Sequence, residues 1–103
     1  MRKIALLGST GSIGRQTLDV VRHEPDMKVT ALTAHKNIRL LEEQIREFRP
    51  GIACVTEEAD AADLAARVTD LPVRIVYGVD GMTEAAVDPA CDTVQRARYP
   101  SLL

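Results

Sequence analysis

The sequence predicts an α/β fold built on a doubly wound, mainly parallel sheet, and three observations carry that prediction. Apolar periodicity switches repeatedly between a strand-like and a helix-like repeat, as it does in stacked β-α-β units. The first strand-like run, KIALL at residues 3–7, is continuously apolar after its lysine, like a strand covered on both faces. A glycine-rich turn, GSTGSIG at residues 8–14, joins that run to the first amphipathic stretch.

Residues 3–7 form a central strand. Ile13, Thr17, Leu18 and Val21 then recur at helical spacing, with Ser12 placed to cap the helix and Pro25 just beyond its end. Residues 28–34 (KVTALTA) are the second strand. Asn37 caps a second helix with a buried stripe of Ile38, Leu41, Ile45 and Phe48, and Glu42 and Arg46 pair on its wet side. Pro50 and Gly51 stop it. Residues 52–56 (IACVT) are the third strand, and Thr56 caps an alanine-rich helix running to about residue 68. Residues 73–78 (VRIVYG) are the fourth strand, and a short helix follows over residues 83–87. Residues 91–94 (CDTV) begin a fifth strand that stops there. Gln95, Arg96 and Arg98 stand where a buried parallel strand needs apolar side chains, and Pro100 cannot hold a central ladder position. The expected sheet is therefore incomplete, at four to five strands.

Composition narrows the function. The 103 residues are the size of one small domain, with 46% apolar and 27% charged residues in an ordinary globular balance. A net charge of −2, no Trp, one Phe and two Tyr give neither a basic stripe nor stacking surface, so no nucleic-acid partner is expected. With no secretory leader pattern and no membrane-length apolar run, the expected setting is cytoplasmic, away from membranes. Cys54 and Cys91 have no CxxC spacing and no neighbouring histidine, and read as buried free thiols. Glu57, Glu58, Asp60 and Asp63 lie in the first turns of a helix, where carboxylates complement the dipole and face water. No metal ligand or catalytic residue is assigned, and His23 reads as a surface residue near a helix end.

The glycine turn carries the chemistry. A strand, a glycine-rich turn and a helix place several main-chain N–H groups around one hollow at the positive end of a helix dipole, which makes an anion site. In the dinucleotide-binding arrangement the first glycine makes the turn, the second admits a pyrophosphate and the third lets the helix pack on the strand. Gly8, Gly11 and Gly14 fit these roles in order, in a Rossmann-like fold. The spacing is GxxGxxG, one residue longer than GxGxxG, and Ser9, Thr10 and Ser12 are placed to add hydroxyl donors. No GKS or GKT follows, which argues against a nucleoside-triphosphate loop.

About 20 residues further on, an NAD site carries an acid for the ribose hydroxyls. Here the end of the second strand reads Ala34-His35-Lys36-Asn37, with no carboxylate. Lys36 would attract a 2′-phosphate, so the cofactor is expected to be NADP(H).

Residues 3–26 (KIALLGSTGSIGRQTLDVVRHEPD), followed by VTALTAHKNIRLLEEQIREFRP and an apolar strand, resemble the N-terminal NADPH-binding domain of the 1-deoxy-D-xylulose 5-phosphate reductoisomerases. The resemblance runs to about Val94. It implies a non-mevalonate isoprenoid enzyme that rearranges 1-deoxy-D-xylulose 5-phosphate and reduces the product with NADPH to 2-C-methyl-D-erythritol 4-phosphate. Mg2+ or Mn2+ is implied for the full-length family only. Carried over by residue, Thr10, Gly11, Ser12 and Ile13 would cradle the pyrophosphate, and His35, Lys36 and Asn37 would lie by the 2′-phosphate. Glycine is common in the family where His35 stands.

Residues 1–94 are thus expected to form a partial NADP-binding domain, and residues 95–103 a divergent tail. These residues alone are expected to be inactive, because hydride transfer needs a substrate pocket facing the nicotinamide. An exposed sheet edge would invite self-association into a homo-oligomer. Two alternatives stay open: the N-terminal domain of another NADP-dependent reductase, and a non-catalytic nucleotide-binding fragment.

Overall fold

The computed structural model describes residues 2–86 and 93–96. Its elements run β1 (Arg2–Leu7), α1 (Ser12–Arg22), β2 (Met27–Thr33), α2 (Ile38–Phe48), β3 (Ile52–Val55), α3 (Glu58–Arg67), β4 (Arg74–Tyr77), α4 (Gly78–Ala86) and β5 (Thr93–Arg96). The strands pair in the order β4-β3-β2-β1-β5, every pair parallel. The chain therefore steps outward from β1 to β4 and then returns to the far side of β1. The order reverses between β1 and β5, and in such sheets ligands bind outside the carboxyl ends of the strands at that reversal.

Alternation along the strands sorts their side chains to two faces. Ile4, Leu6, Val29, Leu32, Ala53 and Val55 meet Leu18 and Val21 of α1, Leu41 and Ile45 of α2, and Ala61 and Leu64 of α3. Ala5, Ala31, Ile52 and Cys54 meet Met82 and Ala85 of α4 on the other face. Val29 and Leu32 share a face although they stand three positions apart, where plain alternation would put them on opposite faces. The β1–β2 register slips between Ile4 and Ala5, leaving Thr30 as an extra residue. Its hydroxyl donates to the Ile4 carbonyl at 3.1 Å, and its own carbonyl accepts from the Gly51 N–H at 3.0 Å.

Several expectations hold. Asn37 Oδ1 accepts from the Leu40 N–H at 3.2 Å and caps α2, and Arg46 pairs with Glu42 at 3.2 Å. Leu41 and Ile45 are fully buried, with Ile38 and Phe48 packed beside them. Cys54 is a buried free thiol, whereas Cys91 lies outside the described residues.

Others are corrected. The residue before α1 is Gly11, so Ser12 is the first helical residue and caps nothing. The buried face of α1 is Gly14, Leu18 and Val21, while Ile13 is exposed at the helix start. Glu57, not Thr56, precedes α3, because the Thr56 hydroxyl is engaged with His35. Helix α4 begins at Gly78, directly after β4, because that glycine takes a left-handed φ of 75° and turns the chain at once. Strand β5 does not stop at Val94. It pairs through Gln95 and Arg96 with Leu6 and Leu7, since ladder bonds use main-chain groups and β5 has only β1 beside it in the described sheet. Residues 97–103, Arg98 and Pro100 among them, and the end of the expected fourth helix at Val87 lie outside the described residues.

Candidate functional site

Beyond Leu7 the chain turns on Gly8, whose φ of 81° is a conformation that side-chain-bearing residues rarely adopt. The turn is fastened to the end of β2. Gly8 N–H donates to Thr33 Oγ1 at 2.9 Å and to the Thr33 carbonyl at 3.1 Å, and Ser9 N–H donates to the same carbonyl at 2.8 Å. Gly11, extended at φ −74° and ψ 172°, leads into α1. The N–H of Arg15 makes the first helical hydrogen bond, to the Gly11 carbonyl at 2.9 Å. The amides of Ser12, Ile13 and Gly14 precede it with no capping side chain, and the first turn of α1 carries no acidic residue. Three N–H groups at the positive end of an 11-residue helix thus stand without a side-chain cap at the switch point.

Gly14 explains how the helix comes so close. A Cβ there would stand 2.3 Å from the Gly8 carbonyl oxygen and 2.7 Å from Ser9 Cα, so only hydrogen fits. At Gly11 the nearest such approach is 3.7 Å, ordinary contact with the same oxygen. Gly11 is therefore not required by packing, and its bareness leaves the hollow open to a ligand. Thr10 is half-buried, and Gly11, Ser12 and Ile13 are exposed around it.

Ser9 departs from expectation. It is fully buried and faces inward, where its hydroxyl donates to Gln44 Oε1 at 2.6 Å and approaches the Thr33 carbonyl at 3.3 Å. Gln44 Nε2 donates back to the Ser9 carbonyl at 2.8 Å. Sequence reasoning missed Gln44. A signal was available, because it stands three residues after Leu41 and beside Ile45, a polar residue inside an apolar stripe.

The second cluster leaves the sheet next to the first. Leu7 pairs with Thr33, so the glycine turn and residues 34–37 exit from adjacent strands at the same end. Ala34 is buried and held by its N–H to the Cys54 carbonyl at 2.9 Å. His35, Lys36 and Asn37 are exposed. His35 Nδ1 lies 2.8 Å from Thr56 Oγ1, which fixes the ring against the β3–α3 turn. The Lys36 carbonyl accepts from Ile38 N–H at 2.8 Å, leaving its ammonium on the surface beyond the cap.

Elsewhere the candidates are few. Cys54 is pushed up to about 11, by burial first and by the nearby Glu84 charge second, which makes it an inert thiol. A cavity of about 100 Å3 lined by Ile45, Arg49, Pro50, Leu71, Pro72 and Val73 lies where β3 and β4 begin, at the opposite end of the sheet. Among the described residues no three His, Cys, Asp or Glu side chains gather as a metal site.

The family model for 1-deoxy-D-xylulose 5-phosphate reductoisomerase matches residues 4–100. The chain belongs to that family. It is 52% identical over 97 residues to the reductoisomerase of Lachnoclostridium phytofermentans, a match covering 94% of this chain and 25% of that protein. With the Gloeobacter violaceus reductoisomerase it shares 51% over 96 residues, covering 91% and 22%. A reductoisomerase solved with NADPH, fosmidomycin and magnesium superimposes with a TM-score of 0.86 at 37% identity, over 91% of this chain and 24% of that one. The Zymomonas mobilis reductoisomerase solved with NADPH gives 0.77 at 32% identity, over 82% and 22%. The chain thus spans about a quarter of the length of these relatives, and the likeness continues past Val94. The Rossmann-like α/β fold is theirs.

Proposed function

We propose that these residues form the NADPH-binding part of a reductoisomerase that converts 1-deoxy-D-xylulose 5-phosphate to 2-C-methyl-D-erythritol 4-phosphate. The observation that carries the reading is the set of uncapped amides of Ser12, Ile13 and Gly14 at the switch point, next to a strand exit that bears Lys36 and no carboxylate. The hollow suits the cofactor's pyrophosphate: bare Gly11 leaves room for the approach, and no acidic side chain of the first helical turn repels it. Gly8 shapes the turn, Gly14 brings α1 onto it, and Thr10, Gly11, Ser12 and Ile13 border the diphosphate. His35, Lys36 and Asn37 receive the adenosine end, Lys36 supplying charge to the 2′-phosphate. The bound cofactor supplies hydride; this part of the chain binds and orients it.

The domain is proposed to include β5 through Arg96, because an end at Val94 would cut that strand and the family match reaches residue 100. Magnesium accompanies a solved relative, and a divalent ion is proposed for the whole enzyme alone. No helix of the described residues is long and apolar enough to cross a membrane; a cytoplasmic setting is part of the proposal. Among the described residues β4 has only β3 beside it, and pairing of copies of the chain along such an edge is part of the proposal.

Titration of the folded chain with NADPH and NADH tests the reading. NADPH should bind at least tenfold tighter. Lys36→Ala should weaken NADPH about tenfold, or about 1.4 kcal/mol, and leave NADH unchanged. A folded chain that takes up neither nucleotide is instead the non-catalytic fragment.

A further inference from the structure

We propose that Gln44 is a positioning residue that holds the glycine turn in its anion-receiving shape. The inference rests on the cofactor reading above and extends it to a residue that touches no cofactor. Gln44 and Ser9 are among the few buried polar side chains of the described residues, at 6% and 0% exposure. They grip each other twice. The Ser9 hydroxyl donates to the Gln44 side-chain oxygen at 2.6 Å, and the Gln44 amide donates to the Ser9 main-chain carbonyl at 2.8 Å.

The second bond bears directly on the hollow. The peptide whose carbonyl Gln44 holds is the one joining Ser9 to Thr10, so its plane fixes the direction in which the Thr10 N–H points. On the preceding side, the Gly8 and Ser9 amides are fixed by Thr33. The turn is thus anchored at both ends, by β2 before Ser9 and by α2 after it. An apolar residue at 44 would leave a buried carbonyl unpaired, a defect relieved by rotating that peptide toward water. The rotation would turn the following N–H away from the hollow and bring a carbonyl oxygen toward it, where an anion is repelled.

This role has a signature that general destabilisation lacks. NADPH and NADH share the pyrophosphate and differ only at the 2′-position, so a fault in the turn weakens both by the same factor. Lys36, at the other subsite, changes their ratio instead.

The test titrates the chain and its Gln44→Met variant with both nucleotides, well below each protein's melting midpoint. We expect Gln44→Met to weaken NADPH and NADH about tenfold each, with their ratio unchanged and circular dichroism showing a folded chain. Ser9→Ala, which keeps the main-chain bond, should lose about threefold at most. It provides the readout if Gln44→Met fails to fold, because a larger loss in Ser9→Ala would make the hydroxyl, not the carbonyl grip, the decisive contact. Folded Gln44→Met that binds both nucleotides as tightly as the parent overturns the inference alone, as does a loss confined to NADPH. A parent chain that binds neither nucleotide overturns the cofactor reading and this inference with it.

Discussion

Gly8, Gly11 and Gly14 look alike in the sequence and do different physical work, which substitution by alanine separates. At Gly14 the new Cβ would overlap main-chain atoms of Gly8 and Ser9, which cannot swing aside as a side chain can. Gly14→Ala should destabilise the fold by about 2 kcal/mol or more, the scale of an overpacked core. At Gly8 nothing crowds the added carbon, but a φ of 81° strains any residue bearing one, so the cost should be about 1–2 kcal/mol. At Gly11 neither penalty applies, since the backbone is extended and the nearest atom is 3.7 Å away. Gly11→Ala should melt within a degree or two of the parent and yet bind NADPH at least tenfold more weakly, as read by thermal denaturation and cofactor titration. Equal losses of stability at all three positions would refute the division of roles. The places of Gly8, Gly11 and Gly14 could be read from spacing, because a strand-turn-helix imposes them whatever the remaining sequence. The inward turn of Ser9 could not. Its direction depends on Gln44, which is 35 residues away and meets it only once α2 has docked. The His35–Thr56 contact is of the same kind, a meeting of two strand exits with no mark in the local sequence.

The helices on the crowded face are stitched by ion pairs that sequence spacing shows only in part. The Glu42–Arg46 pair is within one helix and follows from i,i+4 geometry. Arg22 of α1 reaching Glu47 of α2, and Arg46 reaching Asp70 beyond α3 at 2.9 Å, need the packed fold. Arg22 also lies 5.4 Å from the centre of the Phe48 ring, so one guanidinium serves a carboxylate and an aromatic face together. Hydrogen bonding from Arg22 holds the Glu47 carboxyl below its ordinary value of 4.5, and hydrogen bonding from Arg46 holds Asp70 below 3.8. Both shifts are downward. The unfolded chain therefore takes up protons first as pH falls, so the stabilisation is full above the ordinary carboxylate values and is lost on acidification through and below them. The melting temperature should be nearly level from pH 8 to pH 6 and fall below about pH 4.5, more steeply at low salt than in 1 M salt. Arg22→Gln should lower the neutral plateau slightly and flatten the acid fall. An acid limb identical to the parent's would mean that the Arg22–Glu47 pair contributes nothing to folding. Most strands and helices could be placed within a few residues because period-2 and period-3.6 patterns are local. The ends that moved, at Gly11, Glu57 and Gly78, are those where a turn's backbone decides where the helix starts.

The sheet as a whole is covered unequally. One face carries three helices and large side chains, Leu6, Leu32, Leu41, Ile45 and Leu64 among them, all fully buried. On the other, among the described residues, α4 meets mostly small ones, Ala5, Ala31 and Cys54, with Ile52 the one large buried side chain. Burial stabilises roughly in proportion to apolar area, at about 25 cal/mol per Å2, so α4 is held less strongly than α2. Its sequence agrees. Gly78 and Gly81 lower its helix propensity, Val79 points outward at 82% exposure, and the fully buried side chain at its end is Ala85. The strand order adds a reason for the asymmetry to matter. Helix α4 follows β4 on the opposite face from α1, α2 and α3, while the glycine hollow depends on α1, α2 and β2. The cofactor cradle therefore sits on the well-packed side. Native-state hydrogen exchange should show the amides of residues 79–85 opening at a free energy several kcal/mol below those of residues 41–48 in α2, as a separate unit. NADPH at saturating concentration should slow exchange in residues 8–16 and 36–44 and leave 79–85 almost unchanged. Protection of α4 equal to that of α2 would show that the two faces fold as one unit. Strong protection of α4 by NADPH would place the cofactor's influence across the sheet rather than along the carboxyl ends of β1 and β2, beside the reversal between β1 and β5.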